Sequence, residues 1–220
     1  LNPDATIGPD ALKVLVDFMD AHPQAGVCGP ATILGAEGTE VHYQAAGRRP
    51  SALDIVRQGI PRLGRADLRQ VIQPDSAPFR TGWVCGAVFL VRTELMKRLA
   101  GFDPRFFLYW EETDVCRRME DLDYEVWAVG TAIANHVGSA SSPDDDSKVH
   151  GCIAEHYYQS RRYYLIKHHG WFAATLAELI EFVLLFTRAI VNLVRGQGVG
   201  RLRSRLKSQL FSEPPSSFGQ

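Results

Sequence analysis

Cysteine is scarce in this chain. Cys28, Cys85, Cys116 and Cys152 stand far apart, with no CxxC pair and no Cys/His pair at zinc-finger spacing. Neither a zinc finger nor a disulfide framework organises the protein, and the thiols read as buried or free in a reducing compartment. An excess of one charge is lacking too. The formal net charge is −1, so no overall basic field points to nucleic acid as a partner. Nor is there a clean bilayer-length apolar run. Trp171 to Val194 is interrupted by Glu178, Glu181 and Arg188, whereas a spanning helix needs roughly 20 residues with few charges. Position 1 is Leu and no signal peptide is readable. The first residues read like the middle of a domain, so an amino-terminal truncation is expected.

What is present is an ordinary globular composition, with 45% hydrophobic residues over 220 positions, enough for one substantial core plus appendages. Leu1 to Thr6 (LNPDAT) reads as a polar turn, in which Asn2 and Asp4 can aim oxygens at one point. Pro9 and Asp10 open an amphipathic helix running to His22, with Leu12, Leu15, Phe18 and Met19 at helical spacing. Gly26 to Pro30 is a short buried strand, and helix between strands predicts an α/β layer arrangement. The stretch from Gly35 to Thr81 is a long Gly-, Pro- and Arg-rich excursion, with a strand over Val41 to Gln44 and a helix over Ala52 to Gln58. Long irregular excursions of this kind often serve as lids or binding loops.

Trp83 to Arg92 (WVCGAVFLVR) predicts a core strand with the small pair Gly86-Ala87 at its centre, where a ligand or another backbone can approach. Thr93 is a good N-cap for the next helix and Gly101 a good stop. Tyr124 to Val129 alternates like a strand, and Ile133 to His136 continues toward a sheet edge. After a Gly/Ser/Pro/Asp loop, Glu155 to His169 predicts an aromatic and basic helix. Trp171 to Val194 then reads as an interfacial or bundle helix. Trp171 and the wholly basic charges from Arg195 to Lys207 fit attraction to an anionic cytoplasmic leaflet. The last residues, SEPPSSFGQ, read as disordered.

The most unusual stretch is Phe107-Leu108-Tyr109-Trp110-Glu111-Glu112-Thr113-Asp114, an aromatic run ending in three carboxylates. Clustered carboxylates repel and are costly to desolvate. Two readings stay open on these residues alone. A helix start would place the acids where the macrodipole favours anions and keeps them ionised. A functional acid cluster would use them for proton transfer.

The block WVCGAVFLVRTELMKRLAGFDPRFFLYWEETDVCRRMEDLDYEVWAV, followed by NHVGSAS and preceded by LNPD, resembles family 2 inverting glycosyltransferases of GT-A fold. It resembles especially the rhamnosyltransferase-like bacterial members that build surface polysaccharides. An NPD turn in place of a DxD metal motif, the acidic block, and a late His followed by Gly and Ser occur in the family's order, from Leu1 to about His169. The fold this implies is α/β, a GT-A-like (Rossmann-like) mixed sheet with flanking helices, plus a C-terminal amphipathic helical extension. Residues 1–150 would form the metal-binding turn and acceptor half, 151–210 a helical, possibly membrane-surface segment, and 211–220 a disordered tail. The family's nucleotide-holding βαβ units would precede Leu1.

The resemblance also implies chemistry. An inverting transfer is one displacement, with a base taking the acceptor hydroxyl proton while the nucleotide diphosphate leaves from the opposite face. A divalent metal, Mg or Mn, stabilises the leaving charge. By position, Asn2 and Asp4 would hold the metal with His136, and His136 with Ser139 would meet the diphosphate of a nucleotide-sugar donor. Glu112 would be the base, supported by Glu111 and Asp114; a turn-forming role for Asn2 and Asp4, and a structural one for His136, remain open. Trp83, Gly86, Tyr109 and Trp110 would take the acceptor, with a core role for the aromatics equally open. Arg161 and Arg162 would meet a lipid-linked diphosphate or the membrane, or else be solvated surface charge. The expected partners are a nucleotide sugar, a glycan or lipid-linked acceptor, an anionic membrane surface and a second copy in a homo-oligomer, with no nucleic acid. The expected location is cytoplasmic, peripheral at the inner membrane face. A glycoside hydrolase using the acid pair, and a non-catalytic carbohydrate-binding module or membrane-associated scaffold, are the rival readings.

Overall fold

A computed structural model describes residues 1–34, 40–41, 45–59, 69–137, 150–196, 198, 202 and 206. In chain order, the strands among these are β1 (Ala5–Ile7), β2 (Ala25–Leu34), β3 (Glu40–Val41), β4 (Ala46–Gly47), β5 (Arg69–Gln70), β6 (Phe79–Thr81), β7 (Trp83–Val84), β8 (Leu90–Val91) and β9 (Glu125–His136). The helices are α1 (Pro9–Ala21), α2 (Ala52–Gly59), α3 (Thr93–Arg98), α4 (Glu111–Glu120), α5 (His150–His169) and α6 (Trp171–Val194). They form two compact units. The first comprises Leu1–Arg49, Asp67–Asp103 and Glu111–Ser142; the second comprises Pro50–Ala66, Pro104–Trp110 and Pro143–Gln220.

The first unit is a mixed α/β layer. Its larger sheet runs β1-β9-β2-β3, with β6 also pairing β9 and β8 pairing β2. Among the described strands only β2 and β9 run parallel; β1 and β6 lie antiparallel to β9, and β3 and β8 antiparallel to β2. The parallel pair explains the composition of β2, whose first eight residues, AGVCGPAT, are all buried, since parallel strands covered on both faces read as continuous apolar runs. One side of the sheet packs against α1 through Leu15, Phe18 and Met19. Another core gathers Val27, Val84, Leu95, Val115, Met119 and Val126. The expected helix from Pro9 is found, and α4 turns Val115 and Met119 into the core.

The β2/β9 register slips at Pro30/Ala31, where Gly130, Thr131 and Ala132 have no partner on β2. The cause sits beside this bulge. A Cβ on Gly130 would lie 2.2 Å from Ser76 Oγ and 2.5 Å from the Gln73 carbonyl oxygen, so the turn at Gln73–Ser76 seats where a side chain would stand. The Asp75 amide donates to the Gly130 carbonyl at 2.9 Å. Beyond the bulge, β9 resumes its register and ends at His136.

Three local expectations change. Trp83 to Arg92 is not one strand. Trp83 and Val84 pair with β4 in a separate three-stranded sheet, Leu90 and Val91 pair with β2, and the chain turns between them at Gly86-Ala87. A short apolar run does not distinguish one strand from two separated by a turn. Thr93 is the first residue of α3 rather than its cap, with Arg92 in the cap position and no side-chain cap bond. The Arg92 side chain instead donates to the carbonyls of Met19, His22 and Ala25. The expected stop at Gly101 holds, at φ 77°. Of the strand foreseen over Val41 to Gln44, only Val41 lies within the described residues.

The second unit packs α2, α5 and α6 around Ile55, Phe106, Trp110, Tyr163, Tyr164, Leu165, Ala174 and Ala177. Arg161 and Arg162, expected at the surface, are buried here. Arg161 donates from Nη1 to Glu181 Oε1 at 2.9 Å and from Nη2 to Glu181 Oε2, and Arg162 pairs with Glu178. Their aromatic neighbours on α5 form the core that buries them. Two of the three interruptions in the apolar α6 sequence, Glu178 and Glu181, are thus the acids that neutralise α5.

Breaking one partner of a buried pair leaves an uncompensated charge, which costs about 3–5 kcal/mol, whereas replacing both by apolar residues is often neutral. Denaturant unfolding should therefore show Glu181→Ala destabilised by about that amount and the Arg161→Met/Glu181→Leu double variant near wild type. Equal losses in the single and double variants would contradict the pairing.

Candidate active site

Two turns of the first unit meet at the carboxyl end of β9. The Asn2 amide donates to the Ala87 carbonyl at 2.8 Å, and the Ala5 amide donates to the Asn2 carbonyl at 3.1 Å. β1 then pairs with the end of β9, Ala5 opposite His136, and the Val137 amide donates to the Asp4 carbonyl at 2.9 Å. These backbone bonds fix Asp4 Oδ2 3.1 Å from His136 Nε2. The His136 side chain is largely buried, while the Asp4 side chain is 46% exposed. The carboxylate is therefore the partner open to a ligand.

The Gly86-Ala87 turn carries this site to the acids. A Cβ on Gly86 would stand 3.4 Å from Glu112 Cβ and 3.7 Å from its carboxyl carbon, so the glycine borders that side chain with about a methyl group's space between them. Cys85, next to it, lies within the electrostatic reach of Glu112, Glu111 and Asp4 together. Burial, with those acids adding to it, pushes the Cys85 thiol up to about 12. Burial, with the charges of Glu112, Glu120 and Asp114 adding to it, likewise pushes Cys116, on α4, up to about 12. Neither is a thiolate nucleophile near neutral pH.

Glu111 and Glu112 open α4, as the helix-start reading foresaw. The expectation that the macrodipole keeps them ionised is not met. Burial raises the carboxyl pKa of Glu111. For Glu112, burial first and the Glu111 charge second push it from 4.5 up to about 8, and the backbone hydrogen bond at the helix start offsets only part of this. Glu112 retains some solvent-accessible surface, but protein crowds its carboxyl group. Desolvation plus like-charge repulsion exceeds the fraction of a charge at a helix terminus.

Not every predicted site residue joins them. Asp114 is fully buried and binds Arg118, Nε to Oδ2 at 2.8 Å. Arg118 also donates to the carbonyls of Leu99 and Gly101. Asp114 thus anchors α4 to the end of α3, because a fully buried carboxylate needs that cation. Trp83 is half-buried against the core. Tyr109 and Trp110 belong to the second unit, where Trp110 is buried against Tyr157 and Tyr164 and Tyr109 packs on Tyr157. Ser139 lies outside the described residues. The sequence reading missed Cys85 and the Ala87 carbonyl as site elements; the small pair Gly86-Ala87 was the available signal. A separate open cavity of about 360 Å³ includes Arg48, Arg49, Arg80 and Glu120 in its lining, at the far end of α4 from the acids.

Among the described residues no group of three or more His, Cys, Asp or Glu side chains converges as a metal site. Asp4 and His136 offer one oxygen and one nitrogen donor side by side, with Asn2 in the same turn. Such a pair fits a divalent cation that completes its shell with water and phosphate oxygens, as Mg²⁺ commonly does.

No protein-family model matches the chain. Over 186 residues it is 27% identical to the N-acetylglucosaminyl-diphospho-decaprenol L-rhamnosyltransferase of Mycobacterium tuberculosis, in both strain CDC 1551 / Oshkosh and strain ATCC 25618 / H37Rv. In sequence this protein is rhamnosyltransferase-like. The match covers 80% of the chain and 57% of those relatives, so the chain spans little more than half the length of the curated relatives it matches. A crystal structure of GalNAc-T7 with UDP, GalNAc and Mn²⁺ aligns with this chain at TM-score 0.43 and 12% identity, over 71% of this chain and 29% of that one. That likeness is too slight to build on.

The raised Glu112 pKa has a stability consequence. Between pH 4.5 and about 8 the folded protein holds a proton on Glu112 that the unfolded chain releases, so the Glu112 contribution favours folding at low pH and is lost as pH rises through that window. Glu112→Gln should flatten this part of the profile and raise the melting temperature at pH 8 relative to wild type. An identical pH dependence in the two proteins would contradict the assignment.

Proposed function

We propose that the protein takes part in inverting sugar transfer, from a nucleoside-diphosphate sugar to a lipid-linked glycan acceptor, with Glu112 as general base. The observation that carries this reading is the junction at Gly86-Ala87. One side holds the Asp4–His136 pair through Asn2, and the other touches a glutamate whose pKa is pushed up to about 8. A base is most effective when its pKa lies near the working pH. Carboxyls with perturbed pKa values are also more characteristic of reacting sites than of structural helix starts.

In this mechanism Glu112 accepts the proton of the acceptor hydroxyl, and Glu111 holds its proton affinity high. Gly86 leaves room for the sugar to approach the carboxyl. Asp114, through Arg118, keeps the first turn of α4 in place. Asp4 and His136 would hold a divalent cation, Mg or Mn; when bound, it supplies charge stabilisation to the departing diphosphate. The named mycobacterial relative is a rhamnosyltransferase for a lipid-diphosphate acceptor, and we extend that donor and acceptor class to this protein. A lipid-linked acceptor places the reaction at a membrane surface, which we assign to the cytoplasmic face, in polysaccharide biosynthesis.

The test is transfer from a nucleoside-diphosphate rhamnose to a lipid-diphosphate N-acetylglucosamine, using the longest natural protein that contains this chain. Glu112→Gln should lower kcat by about 10²–10⁴-fold with donor binding unchanged. Asp114→Asn should act mainly on thermal stability. Near-normal turnover in Glu112→Gln would remove Glu112 as the base.

A further inference from the structure

The second unit contains a helix whose polarity is reversed. On α6, Glu178 and Glu181 point inward with Ala174, Ala177, Leu185 and Ala189, and both acids are held by the buried arginines of α5. The opposite side exposes Phe172, Leu176, Leu179, Val183, Phe186 and Ile190 at alternating steps of four and three residues, with Phe172 74% and Val183 61% exposed. At 1.5 Å per residue this stripe runs about 27 Å along the helix. No acid lies on it, and Arg188 is exposed near its end. Sequence beyond the helix continues the same sign, with five basic and no acidic residues from Arg195 to Lys207.

We propose that this face of α6 lies in the plane of an anionic lipid surface, its apolar stripe in the headgroup–acyl boundary and its basic end against the lipid charge. The spanning alternative finds no support in this segment, because no described helix is long and apolar enough to cross a membrane. An in-plane helix needs a broad apolar side and neighbouring cations, and exposed aromatics at one end suit the interface. Here Trp171 and Phe172 provide those aromatics. Charge favours lipid over a second copy of the chain. Helix pairing in water is specified by charged residues flanking the seam, whereas the flanks here are Ile180, Phe182 and Thr187. A parallel pair would also bring two wholly basic segments together. The proposal names the partner of the membrane-surface reaction above but stands on the second unit alone, so it fails or survives independently of the transferase assay.

Co-sedimentation of the whole chain with phosphatidylcholine vesicles, with and without phosphatidylglycerol, tests it. Binding to the anionic vesicles that weakens with added salt is expected. Phe186→Glu should lower the partition by about tenfold or more, and Gln24→Glu, the same charge change on the first unit, by less than about twofold. Val183→Ser, which leaves the packed face of α6 intact, separates lost binding from lost folding and should cut partition several-fold. Unchanged binding in Phe186→Glu and Val183→Ser, or no binding by wild type, would overturn the proposal. A lipid-free dimer dispersed by Phe186→Glu, without vesicle binding, would likewise overturn it and make the stripe a protein seam.

Discussion

The two-sided pairing of β9 is the constraint on which the site depends. Its first half is locked parallel to β2, and its second half lies between β2 and β1. A strand paired on both sides cannot slide without turning its side chains to the wrong faces. Its end therefore delivers His136 to one place, and β1, zipped against that end, delivers Asp4 to the same place. The bulge at Gly130–Ala132 absorbs a mismatch in length between the halves and is held by the turn at Gln73–Ser76. Nothing at Asp4 or His136 is strong enough alone to set this geometry. The sheet sets it, and the side chains use it.

The acids illustrate a competition whose outcome depends on packing. A helix start favours negative charge by a few tenths to one kcal/mol, and the first turn of α4 supplies that field. Burial against Gly86 and Cys85, together with a second carboxyl one residue away, acts in the opposite direction and dominates. The same physics is resolved differently in the second unit. There Glu178 and Glu181 are buried but face guanidinium groups, and the charges are retained as pairs. The two acidic clusters thus differ in environment: burial raises the carboxyl pKa values of Glu111 and Glu112 in the first unit, and the guanidinium groups of α5 neutralise Glu178 and Glu181 in the second.

Much of this was legible in the sequence, for identifiable reasons. Helical spacing around Leu15, Phe18 and Met19 marked α1, and the run from Trp171 to Val194 marked α6 at both ends. Asn2, Asp4 and His136 were grouped by family likeness, and β1–β9 pairing brings Asp4 and His136 together. The turn at Gly86-Ala87 was hidden, because WVCGAVFLVR carries no polar break where the chain changes sheets. The roles of Asp114, Arg161 and Arg162 were hidden as well. Their partners lie four, twenty and sixteen residues away, and charge pattern alone does not say which side of a helix is buried. Trp110 stayed open between a sugar platform and a core residue, because aromatic composition cannot separate the two; it is buried in the core of the second unit.

The central claim is that Asp4, His136, the Gly86-Ala87 turn and Glu112 form one site around a divalent cation and a diphosphate. Its most direct measurement is paramagnetic broadening of backbone amide NMR signals on titrating Mn²⁺ with a nucleoside diphosphate. The account predicts that Asp4, Ala87, Glu112 and Val137 broaden first and together, and that Asp4→Ala abolishes the effect at the same Mn²⁺ concentration. Broadening centred instead on Arg49 and Glu120, or unchanged in Asp4→Ala, would contradict it.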